Sequence, residues 1–149
     1  MTTSDHSVRI LLVEDNPGDA RLTKEAFRAG KVPCEVDHVV NGEEAMAFLR
    51  REGSYGDRKK PHMVLLDLNM PRMDGREVLA AMSNDAELKD IPVIALTTSS
   101  APEDIEACYR NGANAYVVKP PEFNSFIEKV RALEAFWFGT ASLPEFVAI

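Results

Sequence analysis

His62-Met63-Val64-Leu65-Leu66-Asp67-Leu68-Asn69-Met70-Pro71 drives a carboxylate out of the end of one of the most apolar segments of the chain. Met63 to Leu66, bounded by Pro61 and Pro71, is a short apolar run that suits a strand buried on both faces, as in a parallel sheet covered by helices. Asp67 then falls at the carboxyl end of that strand, and ligand sites in open α/β sheets lie outside such ends. Taken alone, the segment fits a plain turn-starting Asp equally well. The other strand ends have to decide.

Upstream, Val8 to Val13 reads as a first strand ending in the acidic pair Glu14-Asp15. Asn16 can cap the helix that follows, with Pro17 in its first position and Gly30 at its stop. Cys34 to Val40 reads as a second strand whose polar members Glu35, Asp37 and His38 suit a sheet edge. Asn41 and Glu44 have capping-box spacing ahead of a helix to about Arg51, and a polar loop from Glu52 to Lys60 leads to the Asp67 strand. Downstream, Asp74 and Glu77 repeat the box before Val78, Ala81 and Met82. Pro92 to Leu96 is a fourth strand that delivers Thr97-Thr98-Ser99-Ser100. Ser100 and Glu103 bracket a helix with Ile105, Cys108 and Tyr109 as its expected buried face, and Gly112 ends it. Ala115 to Val118 is a fifth strand leading to Lys119-Pro120-Pro121, and a last helix from about Glu122 to Phe138 carries Phe126, Val130, Leu133 and Trp137 at helical spacing. Strand and helix repeated five times predict a five-stranded parallel sheet with helices on both faces and right-handed crossovers.

Composition agrees with a single domain. The 149 residues show no internal repeat and no apolar stretch of membrane-span length, and residues 1–7 form a short polar lead, expected to be disordered, without the apolar core of a signal peptide. The expectation is a cytoplasmic protein. Cys34 and Cys108 match no metal spacing and are read as reduced fillers. A net charge of −7 disfavours nucleic acid, and Arg58-Lys59-Lys60 is read as a solvated loop. His6, His38 and His62 lack partners at ligand spacing.

If all strands run parallel, Glu14, Asp15, Asp67, Thr97 and Lys119 share one edge of the sheet. Like charges about 4 Å apart repel by roughly 4 kcal/mol at an effective dielectric near 20, so three carboxylates with one lysine call for a divalent cation. Mg²⁺ fits, because it takes one or two carboxylates, waters and phosphate oxygens. Asp15 and Asp67 are the expected direct ligands, with Glu14 acting partly through water. A cation-neutralised Asp67 can attack phosphorus, and Lys119 with the Thr97 hydroxyl can hold the phosphoryl oxygens.

With Val-Glu-Asp at 13 to 15, Leu-Asp-Leu-Asn-Met-Pro at 66 to 71, Asp74-Gly75, the Thr97 strand end and Val-Lys-Pro at 118 to 120, the chain resembles the receiver domain of two-component response regulators from Val8 to about Phe138. The resemblance implies a flavodoxin-like, doubly wound (βα)5 fold with strand order 2-1-3-4-5. It also implies a phosphoryl group accepted by Asp67 from a histidine of a sensor kinase, and Mg²⁺ on Asp15, Asp67 and the backbone carbonyl of Asn69. Lys119 would contact the phosphoryl group, Thr97 and Tyr116 would form the switch pair, and a cis peptide between Lys119 and Pro120 is usual in the family. The Phe136-Trp137 and Leu143-Pro144 pairs, with no output domain, resemble the stand-alone regulators that partner phytochrome-type kinases.

Two positions depart from the family pattern. Thr98 stands where Ala or Gly is common, which implies slow loss of the phosphoryl group, and Pro121 occupies a place where an aromatic is common. Tyr116 on its own residues is better read as a half-buried strand aromatic, a reading the resemblance reverses, and a solvated neighbour of Asp15 is the lesser alternative for Glu14. Residues 139–149 form an apolar extension. Phe136, Phe138, Phe146 and Val147 exceed what one helix face hides, so a homodimer through the last helix and tail is expected, with a tail folded back on its own domain as the alternative. Two rival functions share the architecture. A haloacid-dehalogenase-like phosphatase wants a second Asp as general acid where Asn69 stands, and a flavodoxin-like electron carrier wants a hydroxyl- and glycine-rich phosphate loop where Glu14-Asp15 would repel the flavin phosphate. The expected protein is therefore not a turnover enzyme on external substrates.

Overall fold

The computed structural model describes residues 7–30, 32–70 and 72–144. Strands β1 (Val8–Val13), β2 (Cys34–Val39), β3 (Met63–Leu66), β4 (Val93–Thr97) and β5 (Ala115–Val118) alternate with helices α1 (Pro17–Arg28), α2 (Gly42–Leu49), α3 (Gly75–Ser83), α4 (Pro102–Arg110) and α5 (Phe123–Glu134). All pairings are parallel and the order is β2-β1-β3-β4-β5, the doubly wound sheet expected from the sequence.

Apart from Arg9 near the start of β1 and Thr97 at the end of β4, the inner strands are apolar because both faces are covered, and the two-residue period sorts their side chains between two cores. Ile10, Leu12, Met63, Leu65, Ile94 and Leu96 pack with Phe27 of α1 and Phe126, Val130 and Leu133 of α5. Leu11, Val13, Val64, Leu66, Val93 and Ala95 pack on the other face with residues of α2, α3 and α4. The register Leu12↔Leu65 and Leu65↔Ile94 brings the carboxyl ends of β1, β3 and β4 level.

Helix starts follow the capping residues in part. Asn16 Oδ1 accepts from the Asp19 N–H at 2.9 Å, with Pro17 in the first turn, and Asp74 with Glu77 forms a complete capping box. At α2 only half of the expected box forms. Asn41 caps the Glu44 N–H at 2.8 Å, while Glu44 Oε1 lies 3.5 Å from the Tyr55 hydroxyl. Neither Ser100 nor any other side chain caps α4, which begins at Pro102 after Ala101. This short helix covers the edge of the sheet, so of its three expected core residues only Cys108 is buried and Tyr109 stands half exposed.

The last helix does not run regularly to Phe138. After Glu134 the chain widens into a π-helical turn, Ala135–Thr140, closed by Ala141 N–H to the Phe136 carbonyl. The wider turn changes the phase of the aromatics. Phe138, expected to point away, packs its ring 5.9 Å from that of Phe27, and Trp137 is half-buried. Phe136 remains 52% exposed with its ring edge-on to Trp137. No cis peptide occurs among the described residues, so the Lys119–Pro120 bond is trans, the form an X–Pro bond prefers by about 0.5–1 kcal/mol. No helix among the described residues is long and apolar enough to cross a membrane. His6, Phe146, Val147 and most of the polar lead lie outside the described residues.

Candidate functional site

Glu14, Asp67 and Lys119 are carried by the first residues past a strand, still tied to the neighbouring strand by a ladder-type hydrogen bond, while Thr97 is the last residue of β4. The Glu14 N–H donates to Val39, the Asp67 N–H to Val13, and the Lys119 N–H to the Thr97 carbonyl. The alternation of the strands therefore carries over to the site. Glu14, Asp67 and Lys119 continue the rows Ile10-Leu12, Met63-Leu65 and Ala115-Val117, which face α1 and α5. Thr97 and Tyr116 continue the rows that face α3 and α4.

The first group is an acid cup. One oxygen from each of Glu14, Asp15 and Asp67 lies within 4.8 Å of the others, with Glu14 and Asp67 buried and Asp15 exposed. Lys119 Nζ sits 2.6 Å from Glu14 Oε1, 3.3 Å from Asp19 Oδ2 and 4.0 Å from Asp67 Oδ2. Burial, reinforced by the hydrogen-bonded Asp67 carboxylate, pushes Glu14 up to about 7 against the pull of Lys119. Burial alone would lower the lysine, but its hydrogen bond to Glu14 and the charges of Glu14, Asp67 and Asp19 outweigh that and hold it above its ordinary value. The charged carboxylate of Glu14 is thus disfavoured where it stands, as expected of a cup whose three oxygen donors suit a hard divalent cation.

The second group reaches Asp67 from the opposite side. The Asn69 N–H turns back to Asp67 Oδ1 at 3.3 Å, and its side-chain amide donates to Thr97 Oγ1 at 3.4 Å. Thr97 is fully buried, whereas Thr98 is exposed. The Tyr116 hydroxyl donates to the Ser99 carbonyl at 2.9 Å, and its N–H donates to the Tyr109 hydroxyl at 3.2 Å. Ser99 Oγ donates to Asp104 Oδ2 at 2.5 Å, and Asp104 Oδ1 accepts from Arg76 of α3 at 3.2 Å. Tyr116 is therefore bound to the β4–α4 loop, and that loop is clasped to α3.

Glu14, Asp15, Asp67, Thr97 and Lys119 all lie at this edge, as read from the sequence, with Asn69 just beyond β3, whereas Tyr116 stands inside β5, level with Ala95, and reaches the β4–α4 loop through its hydroxyl. Asp19 and the Arg76-Asp104-Ser99 clasp were missed. Asp19 occupies the third position of α1, where an acid is ordinarily explained by the helix dipole, and its place one helical turn after Asp15 was the available signal.

Comparison with known proteins bears on this arrangement. Residues 10–131 match the response regulator receiver domain family. Response regulator Rcp1 of a Synechocystis strain is 41% identical over 91% of this chain and 92% of its own. The phosphorylated cyanobacterial phytochrome response regulator RcpA superposes with a TM-score of 0.90 at 45% identity, over 93% of this chain and 99% of its own. The Mn(2+)-bound form of Rcp1 superposes at 0.88 with 40% identity, over 93% and 99%. A response regulator in red light signalling of R. palustris follows at 0.86 and 36%, with the same coverage. With its acidic cup, strand-end Asp67, Thr97 and Lys119 arranged around one edge of the matched sheet, the chain belongs to the response regulator receiver domain family.

Proposed function

We propose that the unit from 8 to 138 is a phosphorylation-controlled signalling switch whose only chemistry is on itself. The reading rests on one observation: the Lys119 ammonium lies between Glu14 and Asp67 at the ends of β5, β1 and β3, poised beside the carboxylate that would be modified. In the forward step a carboxylate oxygen of Asp67 bonds to phosphorus while the P–N bond of a kinase phosphohistidine breaks, and the imidazole nitrogen takes a proton as it leaves. Lys119 and the Thr97 hydroxyl receive the phosphoryl oxygens. Positioning and charge stabilisation are most of what such a transfer needs.

Asp15, Asp67 and the backbone carbonyl of Asn69 would hold Mg²⁺, with Glu14 reaching it partly through water. When bound, the cation neutralises the cup and the incoming phosphoryl charge. Asn69 has no proton to give or take as a general acid would, which supports retention of the phosphoryl group over turnover of a diffusing substrate. Occupation of the Thr97 hydroxyl by the phosphoryl group loosens the β4–α4 loop to which Tyr116 is bound, so the surface of α4, β5 and α5 is the one that changes for a partner.

The chain itself is read as cytoplasmic, and the kinase we propose is a sensor of phytochrome type, because similar structures are described by a phytochrome or by red-light signalling. Exposed Phe136 beside the groove of Tyr116, Val118, Leu133 and Trp137 supports a homodimer through α5 and the 139–149 extension. The decisive experiment incubates the chain with Mg²⁺ and acetyl phosphate, comparing wild type with Asp67→Asn. An acid-stable, alkali-labile adduct confined to the wild type is expected. Equal labelling of both proteins, or of neither, sinks the acceptor role.

A further inference from the structure

The ammonium of Lys119 is shared among three carboxylates, and Asp67 is the farthest of them. Glu14 at 2.6 Å belongs to the expected acid pair, but Asp19 at 3.3 Å does not. Its mount is rigid. The Asp19 N–H donates to Asn16 Oδ1 at 2.9 Å, the Asp19 carbonyl accepts from Thr23 Oγ1 at 2.8 Å, and the Asn16 N–H donates to Glu14 Oε2 at 3.2 Å. The turn from β1 into α1 thus aims two anions at one lysine. An acid in the first turn is accounted for by the helix dipole only while it faces its own helix N–H groups. Here the carboxylate reaches across to a cation delivered by β5.

The two anions differ in what they lose when the lysine moves. Glu14 is 2% exposed and makes the shorter contact with Nζ, whereas the Asp19 side chain is 43% exposed and can be rehydrated when Nζ leaves it. Asp19 is therefore the partner that yields when Nζ moves toward oxygens on Asp67. Its charge also opposes an incoming phosphoryl dianion. Both effects have the same sign.

We propose that Asp19 is a positioning residue that competes with the phosphoryl group for Lys119 and so restrains phosphorylation of Asp67. The inference rests on the reading of Asp67 as the acceptor.

The test compares wild type, Asp19→Asn and Asp19→Glu with acetyl phosphate and Mg²⁺. Asp19→Asn should raise the labelling rate at sub-saturating donor at least threefold, mainly through apparent donor affinity, and the gain should shrink with added salt. Asp19→Glu should restore most of the restraint. In a Lys119→Arg background the gain from Asp19→Asn should differ from that in wild type, because the two residues act as a pair. A second readout needs no phosphate: the Lys119 ammonium resonance in ¹⁵N-edited NMR, assigned with Lys119→Arg, should move in Asp19→Asn. A role confined to starting the helix would change thermal unfolding and leave both readouts still. A reactive wild type with an unchanged Asp19→Asn rate overturns this proposal alone, as does an unmoved ammonium resonance. A wild type with no Asp67-dependent adduct overturns the acceptor reading itself.

Discussion

Gly75 lies so close to the carbonyl oxygen of Asp67 that a Cβ there would overlap it, and would also come within 2.7 Å of the Leu68 Cα. The Gly75 N–H is meanwhile bonded to the Leu68 carbonyl at 3.1 Å. The start of α3 is thus packed directly on the backbone that carries Asp67, the proposed acceptor. Gly75→Ala should destabilise the protein by about 1–3 kcal/mol, the usual cost of overpacking, and should slow labelling of Asp67 by displacing it. Urea unfolding and the acetyl phosphate assay measure the two effects.

Glu14 makes the metal-free protein sensitive to pH. Its folded-state value of about 7 lies above its ordinary 4.5, so the native state holds a proton that the unfolded chain releases earlier. The stability from this group is fully present below about 4.5 and is lost as pH rises through 7, by up to about 3 kcal/mol. In EDTA, the Glu14 contribution to stability should fall across that window and Glu14→Gln should remove it. Mg²⁺ should offset the loss at the upper end. Chemical denaturation at a series of pH values checks all three.

Tyr116 and Ser99 make a separable prediction. Tyr116→Phe removes one hydrogen bond to a backbone carbonyl, a loss of about 0.5–1.5 kcal/mol, but touches none of the phosphoryl contacts proposed above. Labelling of Asp67 should stay within twofold of wild type. Amide exchange at residues 98–101, however, should quicken. Protection that stays unchanged in the variant would show that the tyrosine does not hold the loop.

Thr98 is exposed beside buried Thr97, and its added bulk, where the family commonly has Ala or Gly, is expected to obstruct water approaching a modified Asp67. Replacing it with Ala should shorten the lifetime of the acyl phosphate several-fold while leaving stability within about 0.5 kcal/mol, as for an ordinary surface substitution. Loss of label after removal of the donor gives the rate. An unchanged rate would put the control of lifetime elsewhere.

Phe136 is the exposed aromatic of the π-helical turn, whereas Phe138 is already used inside the domain. Dimerisation should therefore depend on Phe136 and on the residues beyond Gly139. Sedimentation of wild type, Phe136→Ser and a chain truncated after Gly139 should show a dimer only for the first. Monomer mass for all three would leave the tail to its own domain.

Much of this architecture was legible because each inner strand is a short apolar run closed by Pro, Gly or a polar cluster, and because one face of every flanking helix carries its apolar residues at helical spacing. The site was legible for a related reason, since parallel strands deliver their carboxyl ends to one edge. What escaped depends on contacts between distant segments. Tyr109 has helical spacing with Cys108's face, yet α4 sits over too narrow a strip of sheet to bury it. The phase of Phe138 changes only because the helix widens at Ala135. Ser99 engages the α4 acid Asp104, which Arg76 of distant α3 also holds, while the cap expected from Ser100 is absent. Asp19 looks like a helix-starting residue until β5 brings Lys119 beside it.

The alternation that sorts the two cores has one more consequence. Shifting β3 by a single residue against β1 and β4 would carry Asp67 from the side of Glu14 and Lys119 to the side of Thr97 and Tyr116. The chain that emerged would still be a parallel sheet, but it would have no acceptor beside its lysine. With Asp67 as the acceptor proposed above, acetyl phosphate labelling would also assay strand registration: the fraction of a refolded or mutated preparation that took up phosphate would report how much of it had paired its strands correctly.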